Sequence, residues 1–378
     1  MRRKLRIAAA VVVVLLGVLA IVAVVERSWT VAQLRAVVVL STTEELPVLA
    51  WTAAALTREP RVEDGIIGGA PSTVVRPGGG EGPWPAIVFV NGATRRGRHH
   101  PKVQLLARGL ARAGFFVVVP DLPGLRLGEI TGATVAATIR AARAAADSPD
   151  ARDGRIAFYG VSVGATLALL AAESPALAKR VTVVGGEAPW VDLRRVVRLT
   201  TTGWYDGERY EVDPYARLGA ARSLAAALPP SADRSRLLDE LESVPDDHPA
   251  PLAGLDARMY RGAAAALVRL LENRSPQRFA ALYARLPARQ RAGIRSLSPL
   301  HRASRLQMPV ELATAPHDKY FPPAESYALA QAAPDVRVTV TSTLEHAVPK
   351  LSLGDIADLG RFDAFVVRYL RVAAAERD

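Results

Sequence analysis

At 378 residues, half of them hydrophobic, the chain is long enough for one large domain with a sizeable core or for two small ones, and 22% charged residues exclude a disordered polymer. The formal net charge of +11 comes mostly from arginines scattered beside alanines; without a basic stripe interleaved with aromatics it predicts no nucleic-acid partner, and at most a weak attraction to anionic lipid headgroups. The absence of cysteine excludes disulfides, thiolate nucleophiles and Cys-containing zinc sites.

Met1 to Arg6 reads MRRKLR, and Ile7 to Val25 carries no charge or strongly polar group. As a helix that run spans roughly 28 Å, close to the hydrocarbon thickness of a bilayer. The expectation is a cytoplasmic stub and single-pass transmembrane anchor over residues 1–27, with Trp29 at the membrane interface. The positive-inside rule then puts the remainder of the chain outside the cytoplasm. The competing expectation is a cleaved signal peptide and secretion. It requires a shorter apolar run and a small-x-small cleavage site, for which Ala20 to Ala23 is a poor candidate. A second apolar stretch, Val31 to Leu56, is interrupted by Glu44, Glu45 and Pro47. Neither half can span a bilayer, so residues 28–59 are expected as a helical linker, lying on the membrane or packing on the domain.

From residue 60 the text changes. Pro60 to Pro85 predicts a hairpin, with Ile66, Ile67, Val74 and Val75 in strands and Gly68-Gly69 and Gly78-Gly79-Gly80 in turns. Strand-like runs at Ala86–Val90, Phe115–Val119, Arg155–Tyr159 and Val181–Val184 then alternate with helical runs at Val103–Ala113, Thr134–Ala146 and Ala165–Glu173. Such alternation predicts a parallel sheet covered on both faces. Residues 189–305 break the pattern and read as an all-helical insertion, with helices expected at Arg194–Leu199, Arg217–Ala227, Arg234–Glu242, Arg258–Leu271 and Gln277–Arg285. Alternation resumes at Val310–Thr314, with a helix around Glu325–Ala332, a strand Arg337–Thr341 and a last helix from about Asp355 to Ala375. The expected organisation is a core in two parts, 60–188 and 306–378, separated by a helical cap, 189–305.

The sharpest local signal is Gly160-Val161-Ser162-Val163-Gly164, between a strand and a helix. That is the setting of a nucleophile elbow, in which a tight turn raises a serine hydroxyl over the sheet edge and small flanking residues avoid collision. A serine hydroxyl needs a base to take its proton. Where this elbow occurs, the acid and then the histidine follow the serine in the chain. His346, in the loop after the last strand, is the candidate base. Asp318, after Val310–Thr314, is the candidate acid that orients it, with Asp192 as runner-up. The oxyanion donors are expected to be the backbone N–H groups of Val163 and of Ala93, the latter in Asn91-Gly92-Ala93-Thr94 after the first parallel strand. Other candidates carry less. His99 and His100 are adjacent and lack a carboxylate cluster for a metal, though their loop places them near a substrate mouth. Asp246-Asp247-His248 reads as a polar cap loop, and no P-loop or dinucleotide glycine motif is present, so no cofactor is expected.

With the elbow, the Asn-Gly loop, Val119-Pro120-Asp121-Leu122-Pro123-Gly124 and the Asp318/His346 pair in view, the chain resembles the α/β-hydrolase superfamily, and within it the bacterial dienelactone-hydrolase-like and esterase-like members. The resemblance covers roughly residues 60–190 and 305–375. It implies an α/β-hydrolase fold, a structural role for Asp121 and a Ser162–His346–Asp318 triad. Two departures are evident: Asn91 stands where most relatives have His, and the long insertion replaces a short segment. The expected function is a membrane-anchored serine hydrolase of a carboxylic ester with a small-molecule or lipid-derived acyl substrate. An acyltransferase or peptidase on the same triad and a non-catalytic binding protein remain as alternatives, because fold does not separate these.

Overall fold

A computed structural model of the protein describes residues 26–44, 54–55, 57–349 and 356–375. Its described part begins with helix α1 (Arg27–Thr43) and the hairpin β1 (Arg61–Ile67) and β2 (Ala70–Arg76). Then follow β3 (Trp84–Val90), α2 (Pro101–Arg112), β4 (Phe116–Pro120), α3 (Gly132–Ala146), β5 (Ala151–Val161), α4 (Val163–Ala172) and β6 (Val181–Glu187). The inserted stretch holds α5 (Leu193–Thr202), α6 (Pro214–Ala226), α7 (Ala232–Ser243), α8 (Gly262–Leu271), α9 (Pro276–Ala284) and α10 (Ala288–Ser296). The chain closes with β7 (Val310–Thr314), α11 (Pro323–Ala332), β8 (Val336–Val340) and α12 (Ile356–Ala373).

The eight strands form one sheet in the order β1-β2-β4-β3-β5-β6-β7-β8. Pairing is antiparallel for β1 with β2 and β2 with β4, and parallel for the rest. The strand sequences explain why both faces are covered. In β3, Ala86, Val88 and Val90 enter one apolar cluster while Ile87 and Phe89 enter the other. In β4, Phe116 and Val118 face one way and Val117 and Val119 the other. Side chains alternate across a strand, so a continuous apolar run needs a helical layer on each side. One layer includes α3 and α4, and the other α1, α2 and α12.

Of the two placements expected for residues 28–59, helix α1 takes the one packed on the domain. Ala32, Ala36 and Val39, spaced for one helical face, are buried against α2 and α12. The Gln33 amide donates to both carboxylate oxygens of Asp363 at 3.0 and 2.9 Å, and the Arg371 guanidinium lies 4.2 Å from the Trp29 ring centre. Trp29, expected at a membrane interface, is thus engaged with the domain. No helix among the described residues is long and apolar enough to cross a membrane, and residues 7–25, on which a transmembrane helix was expected, lie outside the described residues. The expected fold class is corrected to that extent: the mostly parallel sheet with helices on both faces stands, without the spanning helix.

The insertion is also less uniform than expected. A two-stranded ribbon pairs Trp204–Tyr205 with Glu208–Arg209, so the cap is not all-helical, and α10 had no counterpart in the sequence expectation. The cap is tied to the core by Glu325 on α11, which is fully buried. Its Oε2 accepts from the N–H groups of Val191 and Asp192 at 2.7 and 2.8 Å, and its Oε1 from the Tyr205 hydroxyl at 2.5 Å. Replacing Glu325 with Leu orphans two buried amides, each costing about 1–3 kcal/mol. Glu325→Leu should therefore lower the unfolding free energy by roughly 2–5 kcal/mol, read from the urea midpoint; an unchanged midpoint contradicts this role.

Candidate active site

Between β5 and α4, Ser162 adopts φ 55° and ψ −124°. A non-glycine residue pays about 1–3 kcal/mol for such a conformation and keeps it only where its surroundings impose it. Here they do. The Ser162 N–H donates to the Glu187 carbonyl at 2.7 Å. A Cβ at Gly160 would sit 2.4 Å from the Ala165 Cα, and one at Gly164 would sit 2.1 Å from the Val90 carbonyl oxygen. The two glycines let the elbow fold flat against its own helix and against β3.

His346 sits at the tip of a small ribbon, Leu344–Glu345 paired with Val348–Pro349, again with positive φ at 55°. Its Nε2 is 2.8 Å from the Ser162 Oγ, and its Nδ1 is 2.8 Å from the Asp318 Oδ2. The other carboxylate oxygen of Asp318 accepts from the N–H groups of Tyr320 and Phe321 at 2.7 and 3.0 Å, in a position only 2% exposed. A carboxylate so supplied acts as an acceptor only, so Nδ1 carries the proton and Nε2 is free to accept from the serine. The Tyr320 ring stacks on the imidazole at 4.1 Å, and Phe321 meets it edge-on at 5.6 Å. These two aromatics escaped sequence reasoning. The one available signal was their position directly after Asp318. Asp192, the runner-up acid, instead caps α5 through the Arg194 and Arg195 N–H groups.

Val163 is the first residue of α4, so its N–H has no carbonyl of a preceding turn to meet. Ala93 and Val163 line the same cavity as Ser162 and His346. Asn91, 1% exposed, donates from Nδ2 to the Gly92 carbonyl at 2.7 Å. That carbonyl belongs to the peptide unit whose N–H is that of Ala93, so the amide of Asn91 sets the direction of the expected oxyanion donor. The sequence marked Asn91 only as a departure from His.

The cavity over Ser162 measures about 220 Å³ and is mainly apolar. Its roof is the cap: Leu193 and Val196 from α5, Tyr215 and Gly219 from α6. The cap is clasped to the loop after β3. Arg95 donates to both oxygens of Asp246 at 2.7 and 3.0 Å. The fully buried Arg222 reaches the same carboxylate at 3.0 Å and also the carbonyls of Leu127, Leu241 and Val244. Asp246, expected as part of a polar loop, is thus a second tie between cap and core, beside Glu325. His99 lies in a short turn before α2, and His100 lines a second cavity instead of the one over Ser162.

On the other side of β5 and β6 the Tyr159 hydroxyl donates to the buried Glu187 carboxylate. Burial pushes the Glu187 carboxyl up to about 7. The folded protein then holds a proton that the unfolded chain releases at lower pH, so this contribution to stability is intact below about 4.5 and is lost as pH rises through about 7. Glu187→Gln should flatten the decline in thermal stability across that window, by on the order of 3 kcal/mol. Parallel pH profiles for parent and variant contradict the assignment.

Comparison with known proteins agrees in outline. The family described as "alpha/beta hydrolase fold" matches residues 85–350. No curated protein matches the chain. Among solved structures, an acylaminoacyl peptidase in complex with a chloromethyl ketone is 15% identical with a TM-score of 0.49, covering 85% of this chain; this chain spans 43% of its length. A hormone-sensitive lipase from a metagenome library is 14% identical, TM-score 0.46, with 86% of this chain and 90% of that one covered. Brefeldin A esterase, a bacterial homologue of human hormone-sensitive lipase, is 19% identical, TM-score 0.46, with 84% and 76% covered. With a family match across most of its length, the chain belongs to the alpha/beta hydrolase fold family.

Proposed function

We propose that the protein hydrolyses carboxylic esters through an acyl-enzyme on Ser162. One observation carries the reading: the unbroken relay from Asp318 Oδ2 to His346 Nδ1 and from His346 Nε2 to Ser162 Oγ, each step 2.8 Å. In this mechanism the Ser162 oxygen attacks the acyl carbon while its proton passes to His346 Nε2. The imidazolium is held by Asp318, and the tetrahedral oxyanion is met by the N–H groups of Ala93 and Val163. Collapse expels the alcohol, which takes the proton from His346. A water then attacks the acyl-enzyme with His346 as base, releasing the acid and restoring the serine. The substrate is a small-molecule or lipid-derived acyl compound, in keeping with the apolar walls of the cavity. A fluorophosphonate probe should label the parent protein at Ser162 and leave Ser162→Ala unlabelled, read by intact mass; equal labelling of both disposes of the assignment.

A further inference from the structure

A second cavity of about 280 Å³ lies on the opposite side of the elbow, among α1, α2 and α12. Its apolar lining includes Val39, Val103, Leu106, Phe362 and Val366. Gly92, Ala93, Val161, Ala347 and Val348 line both cavities. These five shared residues, none larger than valine, come from the loop after β3, the end of β5 and the ribbon that bears His346. The two cavities adjoin at these residues, next to Ser162 in the first.

The cavity is not uniformly apolar. Tyr369, 1% exposed, lines it, and its hydroxyl has no hydrogen-bond partner among the described residues. The Glu187 carboxylate, already receiving the Tyr159 hydroxyl, lines it too. A buried hydroxyl is costly to leave unpaired, so a pure hydrocarbon is a poor occupant. We propose that this second cavity seats the apolar arm of the substrate, and that the arm bears a hydroxyl or keto oxygen met by Tyr369. The inference rests on the assignment of Ser162 as the acyl-transfer nucleophile. The arm belongs to the acyl or to the alcohol half of the ester; the chemistry recognised is the same, and the two are separated by experiment.

The test uses the full chain and two series. One varies the acyl half, as p-nitrophenyl acetate, decanoate and decanoates hydroxylated at carbon 3, 6 or 10. The other varies the alcohol half, as acetates of 1-decanol and of decanediols. Leu106→Trp fills the second cavity from its α2 wall, and Leu106 is not among the residues that line the first. It should leave p-nitrophenyl acetate turnover within about twofold and lower kcat/KM on the ten-carbon member of one series by at least tenfold. Each methylene denied burial is worth about fourfold, the equivalent of ~0.8 kcal/mol. Tyr369→Phe breaks no hydrogen bond among the described residues. It should keep the parent's thermal stability and erase its preference for one hydroxylated member over the plain chain. An unchanged ratio of ten-carbon to two-carbon turnover in Leu106→Trp, in both series, overturns the proposal while leaving Ser162 as nucleophile. Should the parent neither label with fluorophosphonate nor turn over acetate esters, the hydrolase assignment fails separately. Thermal shift of the parent with methyl 10-hydroxydecanoate and its 3- and 6-hydroxy isomers then decides the cavity. A shift lost in Leu106→Trp supports it, and no shift with any isomer overturns it.

Discussion

Ser162→Ala is expected to lower kcat on a short-chain p-nitrophenyl ester by about 10⁴ to 10⁶-fold, and adding His346→Ala should cost almost nothing further. The reason is that the two side chains act as one unit. The base has a task only if there is a hydroxyl proton to take, and the hydroxyl is a weak nucleophile only until its proton leaves. The 2.8 Å contact between Nε2 and Oγ is the physical form of that coupling. Asp318→Asn should fall by up to about 10⁴, because the amide presents a donor where Nδ1–H needs an acceptor and turns the wrong nitrogen toward the serine. Residual activity in all variants would come from substrate binding and from the backbone donors proposed at Ala93 and Val163. Losses that multiply across the double variant would mean that serine and histidine work independently, and the triad assignment would fail.

Gly164→Ala should be among the most damaging single-methyl additions in the molecule. The new Cβ would lie 2.1 Å from the Val90 oxygen and 2.5 Å from the Asn91 oxygen. Both are main-chain atoms of the β3 end and its loop, so no side-chain rotation relieves the clash. The elbow and β3 must part, at a cost of about 3 kcal/mol or more. The same movement pulls the loop after β3 away from Ser162, so under the proposed mechanism activity should fall together with stability. Gly254→Ala provides the contrast: a Cβ there meets nothing within 4 Å, and its effect should stay within about 0.5 kcal/mol. Equal urea midpoints for the two variants would show that the close approach at Gly164 is not what holds the elbow.

The sheet was legible because its strands are short β-branched runs bounded by turn residues; Val310–Thr314 coincides with β7 to the residue. The elbow was legible because two glycines flank one serine at fixed offsets. Asp318 and His346 were found from their chain order and their positions after strands, a topological rule that survives large insertions. What escaped has a common cause. Tyr320 stacking on the imidazole, Asn91 aiming a peptide, Glu325 gripping the cap and Arg222 meeting Asp246 are contacts between groups whose partners have no fixed spacing in the chain. No period or motif announces them. The N-terminal apolar run, residues 7–25, lies outside the described residues, and among those described no helix is long and apolar enough to cross a membrane.

Arg222 gives the vault above the nucleophile a keystone. Its guanidinium is wholly dry and is shared among three main-chain carbonyls and a carboxylate that also grips Arg95, two positions beyond Ala93. Leu218, Leu224 and Leu267 of the vault lie in the same continuous apolar mass as Val88 and Phe158 of the sheet. A canopy built this way cannot swing aside without stripping an ion of its partners and splitting the interior.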